Sequence, residues 1–206
     1  MVDFDYEDLL RFWFTNAPRD PAKVTKQFNL WFNTTADFDR RINEKFSAML
    51  EHAIAGNLDQ WATTARGSLA LIILFDQITR TIYRGEARAF ECDHRALEIA
   101  ENSIASGFDL EVEFIERLMF YLPFEHGEDI EIQNKCGAYF QMLDDIAPPG
   151  FKSITQSCVK SGSEHRDVIK RFGRFPHRNK TLGRHSTVEE IAWASDHHGW
   201  GQTLNK

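Results

Sequence analysis

Gly67-Ser68-Leu69-Ala70-Leu71-Ile72-Ile73-Leu74-Phe75-Asp76-Gln77-Ile78-Thr79-Arg80-Thr81-Ile82-Tyr83 is the stretch that decides the fold class. Its first half is apolar nearly all round. A helix of that kind is surrounded by other elements rather than laid on a surface. Its longest apolar run, Leu69 to Phe75, has seven residues, against the roughly 20 that a membrane-spanning helix needs. Leu69, Ile72 and Ile73 form a stripe that continues at helical spacing into Asp76 and Arg80. A buried aspartate and arginine four residues apart are within pairing reach on a helix. They form either a structural ion pair or the floor of a pocket.

Helical periodicity extends outward in both directions from this segment. On the N-terminal side it predicts helices over Tyr6–Phe14, Ala22–Trp31 and Asp37–Ala55, the last ending at Gly56. On the C-terminal side it predicts Asp93–Ser106, with Asp93 as N-cap and Gly107 as the stop. Helices over Glu113–Tyr121, Glu128–Leu143 and Phe151–Phe172 follow. Ser186-Thr187-Val188-Glu189 reads as a capping box that opens a last helix to about His198. Ala147-Pro148-Pro149-Gly150 marks a helix break, and no alternating strand pattern is present. Glu51–Asp59 and Glu101–Asp109 align with four identities, a modest hint of stacked helical hairpins. The expectation is an all-α fold of stacked antiparallel helices forming a single domain over 1–206.

Composition narrows the function classes. The 206 residues are 42% hydrophobic and include 17 phenylalanines, enough for a substantial core. The net charge of −7 argues against nucleic acid as a partner, because phosphate-backbone binding needs broad positive potential. Cys92, Cys136 and Cys158 are widely spaced, form no CxxC pair and read as reduced thiols. With an acidic start and no long apolar run, the expected setting is cytoplasmic, without a membrane partner. No GxSxG, Walker loop or GxGxxG is present, so serine-hydrolase, nucleotide-triphosphatase and Rossmann chemistries have no support.

Charge is unevenly distributed. Arg166 to His185 holds five arginines and two lysines against Asp167, a net +6, so the remainder of the chain carries −13. Within that stretch, Arg171-Phe172-Gly173-Arg174-Phe175-Pro176-His177-Arg178-Asn179 alternates polar heads with aromatic anchors, as a pocket wall does. Arg171, Arg174 and Arg178 offer forks for a carboxylate or phosphate; alternatively they neutralise surplus acids. Leu122-Pro123-Phe124-Glu125-His126-Gly127-Glu128-Asp129 places one histidine among three carboxylates. Glu128 and Asp129 suit an acidic first helical turn, which leaves His126 unaccounted for. His165 shares an apolar face with Val168, Ile169 and Phe172, and so points inward.

These segments together define a candidate site. His126, His165, His177 and Asp76 are the candidate catalytic residues, since imidazole titrates near neutral pH. Gln77, Arg80, Arg84, Glu128, Asp129, Arg171, Arg174, Arg178 and Asn179 are the candidate ligand-binding residues. Asp76, Arg80, His126, His165, Arg174 and His177 are expected to line one cavity. No cofactor is implied, and no HxxxH, HxH or HExxH signals a metal. The partner is expected to be a small anionic molecule. The competing expectation is a peptide- or protein-binding helical scaffold.

The same residues carry a family resemblance. Phe12-Trp13-Phe14, the Gly67–Gln77 run, Arg80, Tyr83-Arg84-Gly85, Tyr121-Leu122-Pro123 with His126, Glu128 and Asp129, Arg171 to Asn179, Leu182-Gly183-Arg184 and Ser186-Thr187 resemble the bacterial family known as domain of unknown function 924. That family is described as tetratricopeptide-repeat-like, so the resemblance implies an all-helical superhelix; it implies no reaction. The family usually has leucine and methionine before the histidine and serine after it. Here Phe124, Glu125 and Gly127 take those places.

Overall fold

A computed structural model describes residues 4–15, 18–33, 35–197 and 200. These residues form an all-α fold, with no strand among them. The helices are α1 (Tyr6–Phe14), α2 (Pro21–Phe32), α3 (Ala36–Ile54), α4 (Ala65–Ile72), α5 (Thr79–Ile82), α6 (Asp93–Ala105), α7 (Arg117–Glu125), α8 (Ile130–Asp145), α9 (Lys152–Phe172) and α10 (Val188–Asp196). No helix among the described residues is long and apolar enough to cross a membrane.

The central segment is where its hydrophobicity places it. Every residue from Gly67 to Arg80 is buried. α1, α6 and α7 pack on α4, and α3 packs on α5. The Thr64 hydroxyl caps α4 by accepting from the Gly67 backbone N–H at 3.1 Å. Gly67 is required there because a Cβ would run into the Trp61 carbonyl.

The segment is not one regular helix. Ile73–Ile78 is a π-turn joining α4 to α5, closed by a bond from the Thr79 N–H to the Leu74 carbonyl. A π-turn widens the helix by one residue, and such turns are frequent at functional sites. This one carries Asp76 and Gln77.

Three other boundaries differ from sequence expectation. α7 begins and ends about a turn later than expected and contains Pro123. An internal proline costs about 3 kcal/mol, but Leu118 to Glu125 are all buried, and burial of that face offsets the lost hydrogen bond. The extension makes His126 the residue that ends α7. Asp93 is not a cap; Cys92 occupies the N-cap position, while the Asp93 carboxylate pairs with arginines from other elements. The last helix does open with a capping box, one residue later than read: Thr187 and Glu190 are the reciprocal pair. α10 ends at Asp196, and the expected terminus at His198 lies outside the described residues.

Two packing units result. One large core unites α1 to α9. α8 and α9 approach closely at Gly162, where a Cβ would stand 2.9 Å from the Phe140 ring. A smaller apolar cluster of Val168, Ile169 and Phe175, with Phe172, Trp193 and Trp200 against it, ties α10 and the arginine-rich turn to the end of α9.

Candidate functional site

The site is built on Asp76, which the π-turn fixes at 1% exposure. Its carboxylate receives Arg80 Nη1 at 3.0 Å, Gln77 Nε2 at 2.6 Å and His126 Nδ1 at 2.7 Å. Arg80 also donates to the Asp76 backbone carbonyl. Burial pushes the Asp76 carboxyl upward, but the charges of His126 and Arg80 and the bonds from His126 and Gln77 outweigh it. The group stays well below the usual carboxylate range. An ionised carboxylate can only accept, so His126 Nδ1 carries the proton of this bond. The nitrogen left for a ligand is Nε2.

His126 reaches Asp76 from the end of α7. The turn that follows is held by Gln133, whose side-chain N–H donates to the Glu125 and Gly127 carbonyls at 2.7 and 2.8 Å. Asp129 then caps α8 by accepting from the Glu131 and Ile132 N–H groups at 2.8 and 3.1 Å. The acidic-turn expectation therefore holds for Asp129. Glu128 instead turns toward the arginine-rich loop and accepts from Arg184 Nη2 at 2.9 Å and the Phe175 N–H at 2.7 Å.

A second buried chain of charges runs beside the first. Arg80 Nη2 lies 2.9 Å from Asp93 Oδ1, and Arg178 Nη1 lies 3.3 Å from Asp93 Oδ2. Asp93 thus bridges the central helix to the arginine-rich turn. The Arg178 guanidinium carbon lies over the Phe90 and Phe175 rings, 4.6 Å from each centroid. Burial lowers its pKa to about 10, so it remains cationic at neutral pH. Its Nε is buried without a hydrogen-bond partner.

His126, Asp93, Arg178 and Glu128 open on a single cavity of about 440 Å3, whose apolar wall includes Phe90, Leu97, Pro123, Ile132 and Leu182. That volume is within the roughly 300–1,000 Å3 of small-molecule sites. No group of three or more His, Cys, Asp or Glu side chains among the described residues is arranged to hold a metal. Cys92, under the α6 end of the site, is buried and its thiol is pushed up to about 11 by that burial, which leaves it a poor nucleophile.

The remaining candidates are distributed differently from the single-cavity expectation. Of the six residues expected to line one cavity only His126 does so, with Asp129 also in the wall; Asp76 and Arg80 bond to each other behind it, and Asp76 to His126 and Gln77. His165 is buried on α9 and its Nδ1 donates to the Ser161 carbonyl at 2.9 Å. Burial lowers its pKa to about 3, so it is neutral. Its ring is 6.4 Å from that of His126 and is covered by Trp200, stacked at 3.8 Å. His177 contacts Phe175 and Trp200, and burial lowers it to about 2.

Arg174 does not line the cavity with His126. Its Nε bonds Glu190 at 2.6 Å, while Arg171 bonds Glu189 at 2.6 Å. The three forks expected to converge on one anion therefore diverge, because α10 supplies counter-charges for two of them. Asn179 donates to Ser186 at 3.0 Å and accepts from Arg184 at 2.9 Å, bracing the loop. Arg84 lies against Asp39 of α3 at 3.3 Å.

Asp93, Arg184, Glu125 and Phe90 were not among the candidate site residues, although Glu125 stood out as a carboxylate beside His126 and Arg184 among the residues of the family resemblance. Asp93 resembled a helix cap, and Phe90 was one phenylalanine of many. Glu125 is buried with its Oε1 3.4 Å from His165 Nδ1. Because the His165 proton is directed at Ser161, this is no ion pair, and burial raises the Glu125 carboxyl.

Residues 9–197 match the family model described as "Bacterial protein of unknown function (DUF924)". A solved structure of a protein of unknown function from Agrobacterium tumefaciens is similar at a TM-score of 0.78 and 33% identity, over 93% of this chain and 97% of that one. No curated protein matches the chain.

Proposed function

This chain belongs to the bacterial family of unknown function DUF924, and we propose that it acts as a general acid–base catalyst on a small anionic molecule bound in the His126 cavity. The observation that carries the reading is the His126 Nδ1–Asp76 contact of 2.7 Å at the inner wall of a cavity of ligand size. A buried carboxylate on one imidazole nitrogen fixes the tautomer and orientation of the ring and stabilises the imidazolium when the other nitrogen takes a proton. His126 Nε2 is then the group that exchanges a proton with the ligand. Asp76 is a positioning residue, and Arg80 and Gln77 hold it in turn. Arg178 supplies the positive charge that meets the anion.

The competing scaffold reading would place exposed side chains along a concave surface. Here His126 and Arg178 meet at one cavity, with Asp76 and Arg80 buried behind them, which supports a localised small-molecule site instead.

The test is substrate-blind. Purified protein is incubated with a bacterial small-metabolite extract, and depletion is followed by mass spectrometry. The expected result is a depleted acid whose loss slows about 10²–10⁴-fold in His126→Gln and also slows in Asp76→Asn. A depletion that proceeds equally in His126→Gln would overturn the assignment.

A further inference from the structure

The geometry around Arg178 narrows the class of ligand, and we infer that the site is built for an apolar monocarboxylate rather than a phosphate ester. This rests on the acid–base reading of the same cavity and deepens it.

The first support is the edge of the guanidinium that its protein neighbours leave unbonded. Arg178 spends Nη1 on Asp93 at 3.3 Å. The Phe90 and Phe175 rings each lie 4.6 Å from its guanidinium carbon. What remains is the side formed by Nε and Nη2, and Nε is buried with no partner. An orphaned buried donor is costly unless something completes it. Two parallel N–H groups on one edge of a guanidinium match the two oxygens of a carboxylate. The two rings and the Asp93 bond restrain the fork in this orientation.

The second support is the charge count at the inner end. Asp76 and Asp93 are opposed by Arg80 and Arg178, so these four groups sum to zero, and burial pushes the neighbouring Glu125 carboxyl toward its neutral form. His126 adds one positive charge only when protonated. The inner end therefore balances one negative charge, with the proton on His126. A second negative charge would go uncompensated. Glu128 is already matched to Arg184 and Glu91 to Arg88, and the Asp129 carboxylate at the cavity repels further anionic charge. A phosphomonoester carries about 1.5–2 negative charges near neutral pH and is disfavoured on this count.

The third support is the rest of the wall. Phe90, Leu97, Pro123, Ile132 and Leu182 offer apolar surface to the body of a ligand whose acid group lies at Arg178, beside His126.

The experiment uses matched probes that differ only in the head group: phenylacetate, phenylacetamide and phenyl phosphate, with hexanoate as an open-chain acid. Affinities are measured by titration calorimetry on the full chain. The Arg178 Nε–H resonance is followed in parallel by NMR on the wild-type protein, which needs no variant to fold. The carboxylates are expected to bind, to shift that resonance, and to bind about tenfold or more tighter than the amide, as charged hydrogen bonds allow. Arg178→Lys keeps the charge and removes the fork, and should weaken carboxylate binding by a similar factor, while Arg174→Ala leaves it unchanged. Phenyl phosphate binding tighter than phenylacetate, no acid binding at millimolar concentration, or an unmoved Nε–H signal would each overturn the inference. Carboxylate binding that persists in His126→Gln without any His126-dependent turnover would sink the acid–base reading and leave the ligand class standing. His126-dependent depletion of a phosphate ester from the metabolite extract would do the opposite.

Discussion

Asp76→Ala is the most severe single change the site predicts for the fold. The Asp76 carboxylate accepts from Arg80 at 3.0 Å, His126 at 2.7 Å and Gln77 at 2.6 Å, at 1% exposure. Removing it leaves Arg80, itself 6% exposed, to share the one Asp93 carboxylate with Arg178. Breaking a buried ion pair from one side costs roughly 3–5 kcal/mol, a large share of a typical stability of about 5–15 kcal/mol. At about 2–4 °C per kcal/mol for a chain of this size, the melting temperature should fall by roughly 6–20 °C. Calorimetry and urea unfolding near neutral pH measure the loss. The pH dependence supplies a second check. The folded pKa of Asp76 is depressed, so its contribution is present above the unfolded value of about 3.9 and fades as pH falls toward the folded value. The gap between wild type and Asp76→Ala should therefore narrow only below about pH 4. A loss under about 1 kcal/mol, the scale of an exposed pair, would refute the view that this carboxylate anchors a buried charge network.

Two further outcomes follow from the same physics. His165 is buried and neutral, with its folded pKa lowered to about 3 against about 6.5 unfolded. Below the unfolded pKa, only the unfolded chain takes the proton, so stability falls as pH drops by about 1.4 kcal/mol per pH unit. His165→Phe keeps a ring against Phe175 and should flatten the stability–pH curve by that slope between about pH 6 and 4; urea titrations with unchanged curvature would contradict it. Arg171→Ala breaks an exposed pair with Glu189 and should cost under about 1 kcal/mol by urea unfolding. Arg174→Ala opposes a buried Glu190 and should cost more, the reverse of what equivalent anion-binding forks would give.

The fold was legible where one residue type repeats at helical spacing. Leu69 to Phe75 announced a buried helix because nothing polar interrupts its faces, and Phe38, Ile42, Phe46 and Leu50 placed α3 in the same way. The π-turn was not legible, since an i to i−5 bond leaves no mark in residue type. It nonetheless sits where an apolar stripe runs into Asp76, Gln77 and Arg80. α7 runs past its expected end at Tyr121 to include Pro123, whose local cost is visible in sequence while the burial that offsets it is not.

The site was half legible. Asp76 and Arg80 stood out because charged groups on an apolar face need partners, and His126 because an acidic first turn does not account for it. The arginine-rich run was read from local charge density, which says nothing of where the counter-charges lie. Glu189 and Glu190, 18 and 16 residues from the arginines they bond, divert Arg171 and Arg174 to α10. Only Arg178 turns inward, and Asp93, 85 residues away in sequence, is what holds it.

The measurement that bears most directly on the site is the 15N spectrum of the His126 imidazole, assigned among the eight histidines by comparison with His126→Gln. The hydrogen bond to Asp76 predicts that the neutral ring carries its proton on Nδ1 and leaves Nε2 bare, and that Asp76→Asn disturbs this preference. It also predicts that a bound carboxylate ligand shifts Nε2 more than Nδ1. A neutral His126 protonated on Nε2, or a ring whose Nε2 is untouched by every ligand that binds the cavity, would contradict the assignment of His126 as the acid–base group.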